Sequence, residues 1–247
     1  MASFIRRGIA VLRSRQEVRR QHRQLVPPLR SVDFGDLRRT EPISNVFGLD
    51  RGTPVDCYFI EGFLARNSEL ISGRVLEIAD ATYTKRFGGR RVTQSDILHL
   101  TGEGGRATII ADLTHAPEIA DGSFDCIILT QTLQFTFRMQ DMVSEIHRIL
   151  TPGGCVLCTV PGISQISRYD MERWGDYWRL TTLSARELFE TSFEPGMVEV
   201  TAHGNVLAAT AFLYGLAAAE LTREELDAQD DDYQLIVAIK AMKAPRA

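Results

Sequence analysis

Asp80, Asp96, Asp112, Thr130 and Gln131 each stand where a short apolar run gives way to a turn. In a parallel sheet such run ends share one edge. The five side chains would then converge on one crevice, where doubly wound α/β proteins hold their ligands. A carboxylate at that edge can accept hydrogen bonds from ribose hydroxyls. Asp96 follows Glu77 by 19 residues, close to the offset at which a ribose ligand stands in dinucleotide sites. Asp112, one run later, is placed to meet an adenine amino group. The alternative for any single Asp is a helix N-cap, and three in register weaken it. A second concentration of chemistry-bearing types lies between 164 and 179, with Arg168, Tyr169, Asp170, Trp174, Asp176, Tyr177, Trp178 and Arg179. Aromatic rings among carboxylates suit a sugar-like or aromatic polar ligand. The alternative is a lid whose tryptophans pack on the core and whose Asp and Arg pair at the surface.

These residues need strands and helices in alternation to position them. The apolar run from Val75 to Ile78 reads as a first buried strand, followed by 91–96, 107–112, 124–130 and 155–160. Between the last two, 139–150 reads as an amphipathic helix with Met142, Val143, Ile146 and Ile149 on one side. Residues 55–70 read as a helix before the first strand, which makes Arg51, Asp56 and Tyr58 candidates to cover the cleft. A sixth strand is expected at 197–201, an apolar helix at 206–221, a solvated acidic connection at 224–232 and a last strand at 233–240. This order argues for a parallel sheet with helices on both faces.

Composition bounds the reading. A chain of 247 residues, 44% hydrophobic, can bury one sizeable core. A net charge of −4 does not suggest a nucleic-acid partner. Arginines crowd the first 40 residues before Pro27 and Pro28 would stop a helix. We read 1–45 as a basic N-terminal helical extension and 46–247 as the main domain, with a lid around 161–182. Cys155 and Cys158 have a spacing used by metals and redox pairs, but in a strand it puts them on opposite faces. Free thiols, a cytoplasmic setting and no metal are therefore expected. No apolar run approaches the roughly 18 residues that would span a bilayer, so no integral membrane segment is expected. The apolar 206–221 segment could supply a homodimer face.

Val75–Asp80, Asp96, Asp112, the run 124–134 and the Leu150-Thr151-Pro152-Gly153-Gly154 turn together resemble the ordered motifs of class I S-adenosylmethionine-dependent methyltransferases, in particular the group termed methyltransferase type 11. The resemblance spans roughly 55–200. It implies an α/β, Rossmann-like methyltransferase fold: a mostly parallel seven-stranded sheet with helices on both faces and an antiparallel last strand. It implies S-adenosyl-L-methionine as cofactor, S-adenosyl-L-homocysteine as product and a small-molecule substrate. By it, Glu77 with Ala79, Asp80 and Thr82 would hold the methionine moiety, Asp96 with Ile97 the ribose, and Asp112 with Leu113 the adenine. Thr130 and Gln131 would line the sulfonium side. Tyr58, Gln134, Arg168, Tyr169, Trp174, Trp178 and Arg179 would contact the acceptor. Methylation of a hydroxyl needs an acceptor held in line and often a general base. Asp170, Asp176, Tyr177 and His203 are the candidates, His203 having the most suitable intrinsic pKa.

Two departures stand out. The family's glycine-rich turn reads Ala79-Asp80-Ala81-Thr82-Tyr83 here, and a histidine often seen late in the fourth-strand motif is Gln134. Alanine can take some glycine positions where φ stays negative. Asp80 or Thr82 would then compensate through hydrogen bonds to the cofactor's amino group. The same departures admit another reading, a methyltransferase-like fold without methylation. Nicotinamide-dependent oxidoreduction would need phosphate-cradling glycines that are missing.

Overall fold

The computed structural model describes residues 27–102 and 105–246. The basic stretch through residue 26, expected to be helical, lies outside the described residues. The described chain divides between Glu41 and Pro42 into two units. In the first, Gly35–Leu37 forms one 3-10 turn.

The second unit is built on a seven-stranded sheet in the order β3-β2-β1-β4-β5-β7-β6. β1 (Gly73–Ile78), β2 (Val92–His99), β3 (Ile109–Ile110), β4 (Phe124–Thr130) and β5 (Leu150–Pro161) pair in parallel. β7 (Ile236–Met242) lies antiparallel between β5 and β6 (Val198–His203). The mostly parallel sheet with an antiparallel last strand is the one the sequence implies. Among the described residues, no helix is long and apolar enough to cross a membrane.

The period of two along each strand sorts side chains into two cores. Ile127 and Leu129 of β4 face the layer that contains Met142, Val143, Ile146 and Ile149 of α2 (Met139–Ile149) and Ala185 and Phe189 of α4 (Thr182–Phe189). Cys126 and Ile128 face the other, with Phe59, Ile60 and Phe63 of α1 (Val55–Arg66) and Ala208 and Phe212 of α5 (Val206–Leu213). Cys155 falls in the second core and Cys158 in the first, the opposite faces that strand alternation requires. Both are free thiols. The short α3 (Arg168–Met171) lies between β5 and α4, and α6 (Arg223–Asp227) before β7.

Several boundaries depart from the periodicity. α1 ends at Arg66, and Ser68–Leu70 is a separate 3-10 turn. α5 stops at Leu213 rather than near 221, because Gly215 turns left-handed (φ +70°) and packs where a Cβ would lie 2.4 Å from the Ser44 carbonyl oxygen. The acidic connection contains α6, started by a reciprocal cap between Thr222 and Glu225. β5 begins at Leu150, so the Pro-Gly-Gly turn enters the strand. β2 runs to His99 and β3 contains two residues. The change in β2 matters most for the site.

Candidate active site

A cleft of about 700 Å3 opens beyond the carboxyl ends of the strands. One wall is the turn after β1. Glu77, near the end of β1, is buried, and its two carboxylate oxygens accept the amides of Tyr83 (3.0 Å) and Thr84 (2.7 Å). It therefore caps the helical turn Thr84–Gly88 and fixes the loop between. Burial raises its carboxyl pKa, against the lowering effect of those amides. At Ala79 the backbone is left-handed (φ +71°), with the Asp80 amide bonded back to the Ile78 carbonyl at 2.9 Å. That is a γ-turn, a strained shape for a residue with a Cβ. The sequence suggested an alanine with negative φ; the chain keeps the glycine-like geometry and bears its cost. Asp80 Oδ1 accepts the Thr82 amide at 2.7 Å. Ala79, Asp80 and Tyr83 line the cleft, whereas Thr82 does not.

Strain of this kind is concentrated at the cleft. Among the described residues, four non-glycines have positive φ: Arg30, Phe47, Ala79 and Gln131. Phe47, Ala79 and Gln131 are all lining residues. Residues held in such conformations cluster where function over-determines the backbone.

The floor comes from β2, β3 and β4. Ile97 and Leu98 continue β2 past the polar residue at which the sequence suggested its end. Asp96 consequently pairs beside Leu76, inside the sheet rather than at its edge. It is buried and held by Arg74 Nε (2.7 Å), Gln94 Nε2 (3.0 Å) and Thr108 Oγ1 (3.1 Å). Neither Asp96 nor Ile97 lines the cleft; Leu98, His99 and Leu100 do. The assignment of Asp96 to ribose thus does not match its placement. His99 occupies the strand end instead, its Nε2 within 2.6 Å of the Ala79 carbonyl oxygen. Asp112 and Leu113 follow β3 and line the cleft. Asp112 Oδ1 accepts the amide and hydroxyl of Thr114, both at 2.8 Å.

Thr130 and Gln131 end β4 at the cleft, and Gln134 lies in the turn beyond. Gln134 is buried; its Nε2 reaches Gln131 Oε1 at 3.4 Å, and its Oε1 has no partner. A buried acceptor without a donor costs roughly 1–3 kcal/mol. In a lining residue it is a place for a ligand's O–H or N–H.

The segment after β5 forms the opposite wall, and one guanidinium organises it. Arg179 donates to both carboxylate oxygens of Asp176 (2.6 and 3.0 Å), to the Gln165 carbonyl (2.6 Å) and to the Trp178 carbonyl (2.8 Å). Asp176 also accepts the Ser167 amide at 3.0 Å. Burial alone would raise the Asp176 carboxyl, but Arg179 and that amide outweigh it and hold it below the usual range. Ser167 caps α3, and its hydroxyl donates to Asp170 at 2.5 Å. Asp170, Trp174, Asp176, Tyr177 and Arg179 line the cleft.

Other candidates are elsewhere. Trp178 packs against the first core and is tilted on Phe137, ring centroids 5.5 Å apart. Tyr169 is exposed under the Arg173 guanidinium, and Arg168 reaches Met171. Tyr58 donates to Asp227 at 2.6 Å. His203 is the last residue of β6, stacked on Phe59 and 3.1 Å from Arg66 Nη2. Burial and then Arg66 push its pKa down. Tyr58 and His203 line a separate hollow, so His203 does not face the cleft's acceptor wall. Phe47 and Phe212 enter the cleft without having been expected there, while Asp56, a candidate to cover it, and Tyr83, in the turn after β1, line it. Only the position of 55–66 before the first strand pointed to Asp56.

Six carboxylates line the cleft (Asp56, Glu77, Asp80, Asp112, Asp170 and Asp176) against one arginine, Arg179. Such a site attracts a positively charged ligand and repels anions such as a pyrophosphate. Its volume is within the usual range for small-ligand sites.

Residues 73–158 match the family model described as a methyltransferase domain. No curated protein matches the chain. Among solved structures, a SAM-dependent methyltransferase from Archaeoglobus fulgidus is 12% identical with a TM-score of 0.50, covering 75% of this chain and 94% of its own. A putative sarcosine dimethylglycine methyltransferase from Galdieria sulphuraria is 14% identical with a TM-score of 0.50, covering 77% and 87%. The cyclase SpnF is 16% identical with a TM-score of 0.50, covering 76% and 82%. These likenesses establish the shared fold.

Proposed function

We propose that the chain, a class I S-adenosylmethionine-dependent methyltransferase, methylates a hydroxyl of a small, uncharged, sugar-like or natural-product acceptor. S-adenosyl-L-methionine supplies an electrophilic methyl on a sulfonium, and the cleft's residues suit it: its ammonium and sulfonium are positive, and six carboxylates line the cleft. In this reading Glu77, Ala79 and Asp80 frame the methionine end, Asp112 and Leu113 the adenine, and Thr130 and Gln131 the sulfonium side. His99 and Leu100 stand where a ribose carboxylate was expected. The family match favours methyl transfer over a fold that binds without transferring.

The observation that carries the choice of acceptor is the unpartnered Gln134 Oε1 in the cleft. It accepts a hydrogen bond and cannot give one, so it suits an acceptor that presents an O–H or N–H, and the hydroxyl is the choice that keeps the acceptor uncharged among the carboxylates. Trp174 and Tyr177 offer ring faces to the rest of the molecule, and Asp170 a further acceptor oxygen. A phosphorylated or carboxylated acceptor would meet the carboxylates and is disfavoured. The reading keeps 161–182 as the substrate lid, 1–45 as a basic extension and 46–247 as the domain. It places the protein in the cytoplasm, without a nucleic-acid partner. Exposed Val206, Leu207 and Leu213 on α5 support a homodimer face.

Calorimetry with S-adenosyl-L-methionine and S-adenosyl-L-homocysteine, then methyl transfer to a panel of neutral polyols, phenols, amines and their phosphate esters, tests this. Binding of both ligands and turnover of hydroxyl compounds is the expected result. Turnover of amines alone would overturn the acceptor assignment, and failure to bind either ligand would overturn the reading entire.

A further inference from the structure

The hollow that Tyr58 and His203 line has a volume of about 870 Å3, and its polarity is opposite to that of the cleft. Three arginines (Arg66, Arg86 and Arg223) stand in it against two carboxylates (Glu61 and Asp227). Both carboxylates are engaged. Glu61 pairs with Arg86, and Asp227 accepts the Tyr58 hydroxyl at 2.6 Å. Arg66 and Arg223 are left over: among the described residues neither forms an ion pair with a carboxylate. The other arginines lining this hollow or the cleft are paired, Arg86 with Glu61 and Arg179 with Asp176. The two unpaired ones come from separate elements. Arg66 ends α1 and Arg223 begins α6, and both enter the hollow that His203 reaches from the end of β6. What Arg66 has in place of a carboxylate is a ring nitrogen: its Nη2 lies 3.1 Å from His203 Nε2. A guanidinium has no acceptor, so Nε2 receives this bond and the neutral imidazole carries its proton on Nδ1. Phe59 fixes the ring, stacked within 3° at a centroid distance of 6.1 Å. A cation that is bonded only to a neutral acceptor keeps its charge uncompensated, and in a concave surface that charge attracts an anion.

We propose that this hollow is a binding site for a phosphate monoester of a small molecule, with Arg66 and Arg223 holding the phosphate and His203 adding a donor once Arg66 Nη2 turns from it to the ligand. Guanidinium forks match phosphate oxygens in pairs. Groups arriving from α1, α6 and β6 suit the spread of a tetrahedral oxyanion better than the plane of a carboxylate. The hollow is larger than a phosphate alone requires, and Tyr58, Phe59 and Phe87 give the ligand's organic part a wall to pack on. No covalent bond to the ligand forms or breaks. His203 Nε2 takes one proton from solvent as the anion arrives. Burial and then Arg66 hold the His203 pKa down, and an adjacent phosphate works the other way. The charged groups that share the hollow with it are Arg66 and Glu61 from α1, Arg86 from the Thr84–Gly88 turn, and Arg223 and Asp227 from α6. The six carboxylates of the cleft repel the same ligand, so charge sorts the two openings: a cation to the cleft, a phosphate to the hollow.

The test titrates phenyl phosphate, inorganic phosphate and benzoate into the whole protein by calorimetry, with the variants Arg66→Gln, Arg223→Gln and Arg90→Gln alongside. Arg90 is exposed and lines neither opening, so its variant controls for net charge. Phenyl phosphate should bind with a Kd of about 1 mM or tighter, ahead of inorganic phosphate and about tenfold or more ahead of benzoate. Arg66→Gln and Arg223→Gln should each weaken it about tenfold or more, the loss of one charged hydrogen bond, and Arg90→Gln by less than about threefold. Nitrogen-15 spectra of the wild-type histidine rings locate the ligand even if a variant folds poorly. Phenyl phosphate should move the Nε2 resonance of His203 toward the protonated position and leave that of His99, in the cleft, where it was. The proposal is overturned if benzoate binds as tightly as phenyl phosphate, or if Arg90→Gln weakens binding as much as Arg66→Gln. A shift at His99 in place of His203, or no phosphate binding at all, overturns it too.

Discussion

Replacing Asp56 by Asn should stabilise the protein at pH 8 and leave it nearly unchanged at pH 3. The folded chain holds this carboxyl at about 6 against 3.8 in the open chain, because burial disfavours the charge. The folded state then binds the proton more tightly than the unfolded one. The stability this confers is fully present below 3.8 and is lost as pH rises through about 6. At roughly 1.4 kcal/mol per pH unit the gap corresponds to about 3 kcal/mol. Residual solvent access and the favourable field of the α1 N-terminus, about 0.3–1 kcal/mol, reduce that to about 2 kcal/mol. Asn keeps the volume and the oxygen that accepts the Cys57 amide, so little else changes. Glu77, also raised by burial, titrates in both proteins and cancels from the difference. Urea unfolding followed by circular dichroism at the two pH values measures it. A variant less stable than wild type at pH 8, or an equal difference at both pH values, refutes the reasoning.

Four other outcomes are expected. Glu77→Gln replaces one of two acceptor oxygens by a donor facing an amide, so it should cost about 1–3 kcal/mol in urea unfolding and weaken cofactor binding by calorimetry. Arg179→Ala strands the buried Asp176 carboxylate and should cost about 3 kcal/mol, less at low pH where Asp176 protonates. Ala79→Gly should be neutral or stabilising by up to about 1 kcal/mol in Tm measurements, whereas Ala79→Val should cost about 2 kcal/mol, since a β-branched residue resists φ +71°. Gln134→Leu should leave stability within about 1 kcal/mol, because its Oε1 has no bond to lose, yet raise the acceptor KM about tenfold.

The strands and the helices on both faces were legible because apolar runs such as 75–78 and 124–130 are short and sharply bounded; the antiparallel last strand came with the family resemblance, and the strand order was not read. Nor was the end of β2. Asp96 looked like the polar stop of a strand, and its true partner is Arg74, 22 residues away on the neighbouring strand. No local pattern reveals a cross-strand ion pair. His203 was misplaced for a related reason: its intrinsic pKa suited a base, but only the packing of Phe59 and Arg66 determines which hollow it enters. Asp170, Asp176 and Tyr177 line the cleft, as the aromatic and acidic cluster after β5 suggested, and the Asp176–Arg179 pair and the packed Trp178 are features that a simple lid would share. Asp56 was weakly marked, since the cleft it lines is closed by residues from distant parts of the chain, such as Asp176 and Phe212.

The position of β7 has a consequence for how the chain is made. Among the described residues β7 is the only neighbour of β6, and it covers the far edge of β5, whose residues from Cys155 to Pro161 are all buried in the finished sheet. During synthesis, β5 leaves the ribosome well before residues 236–242 exist. Until they arrive, a long hydrophobic edge stands open, ready to pair with another chain. Protection in that interval is a matter of time and chaperone access rather than of native contacts. A nascent chain stalled or cut before β7 would be an aggregation hazard, not merely an inactive enzyme.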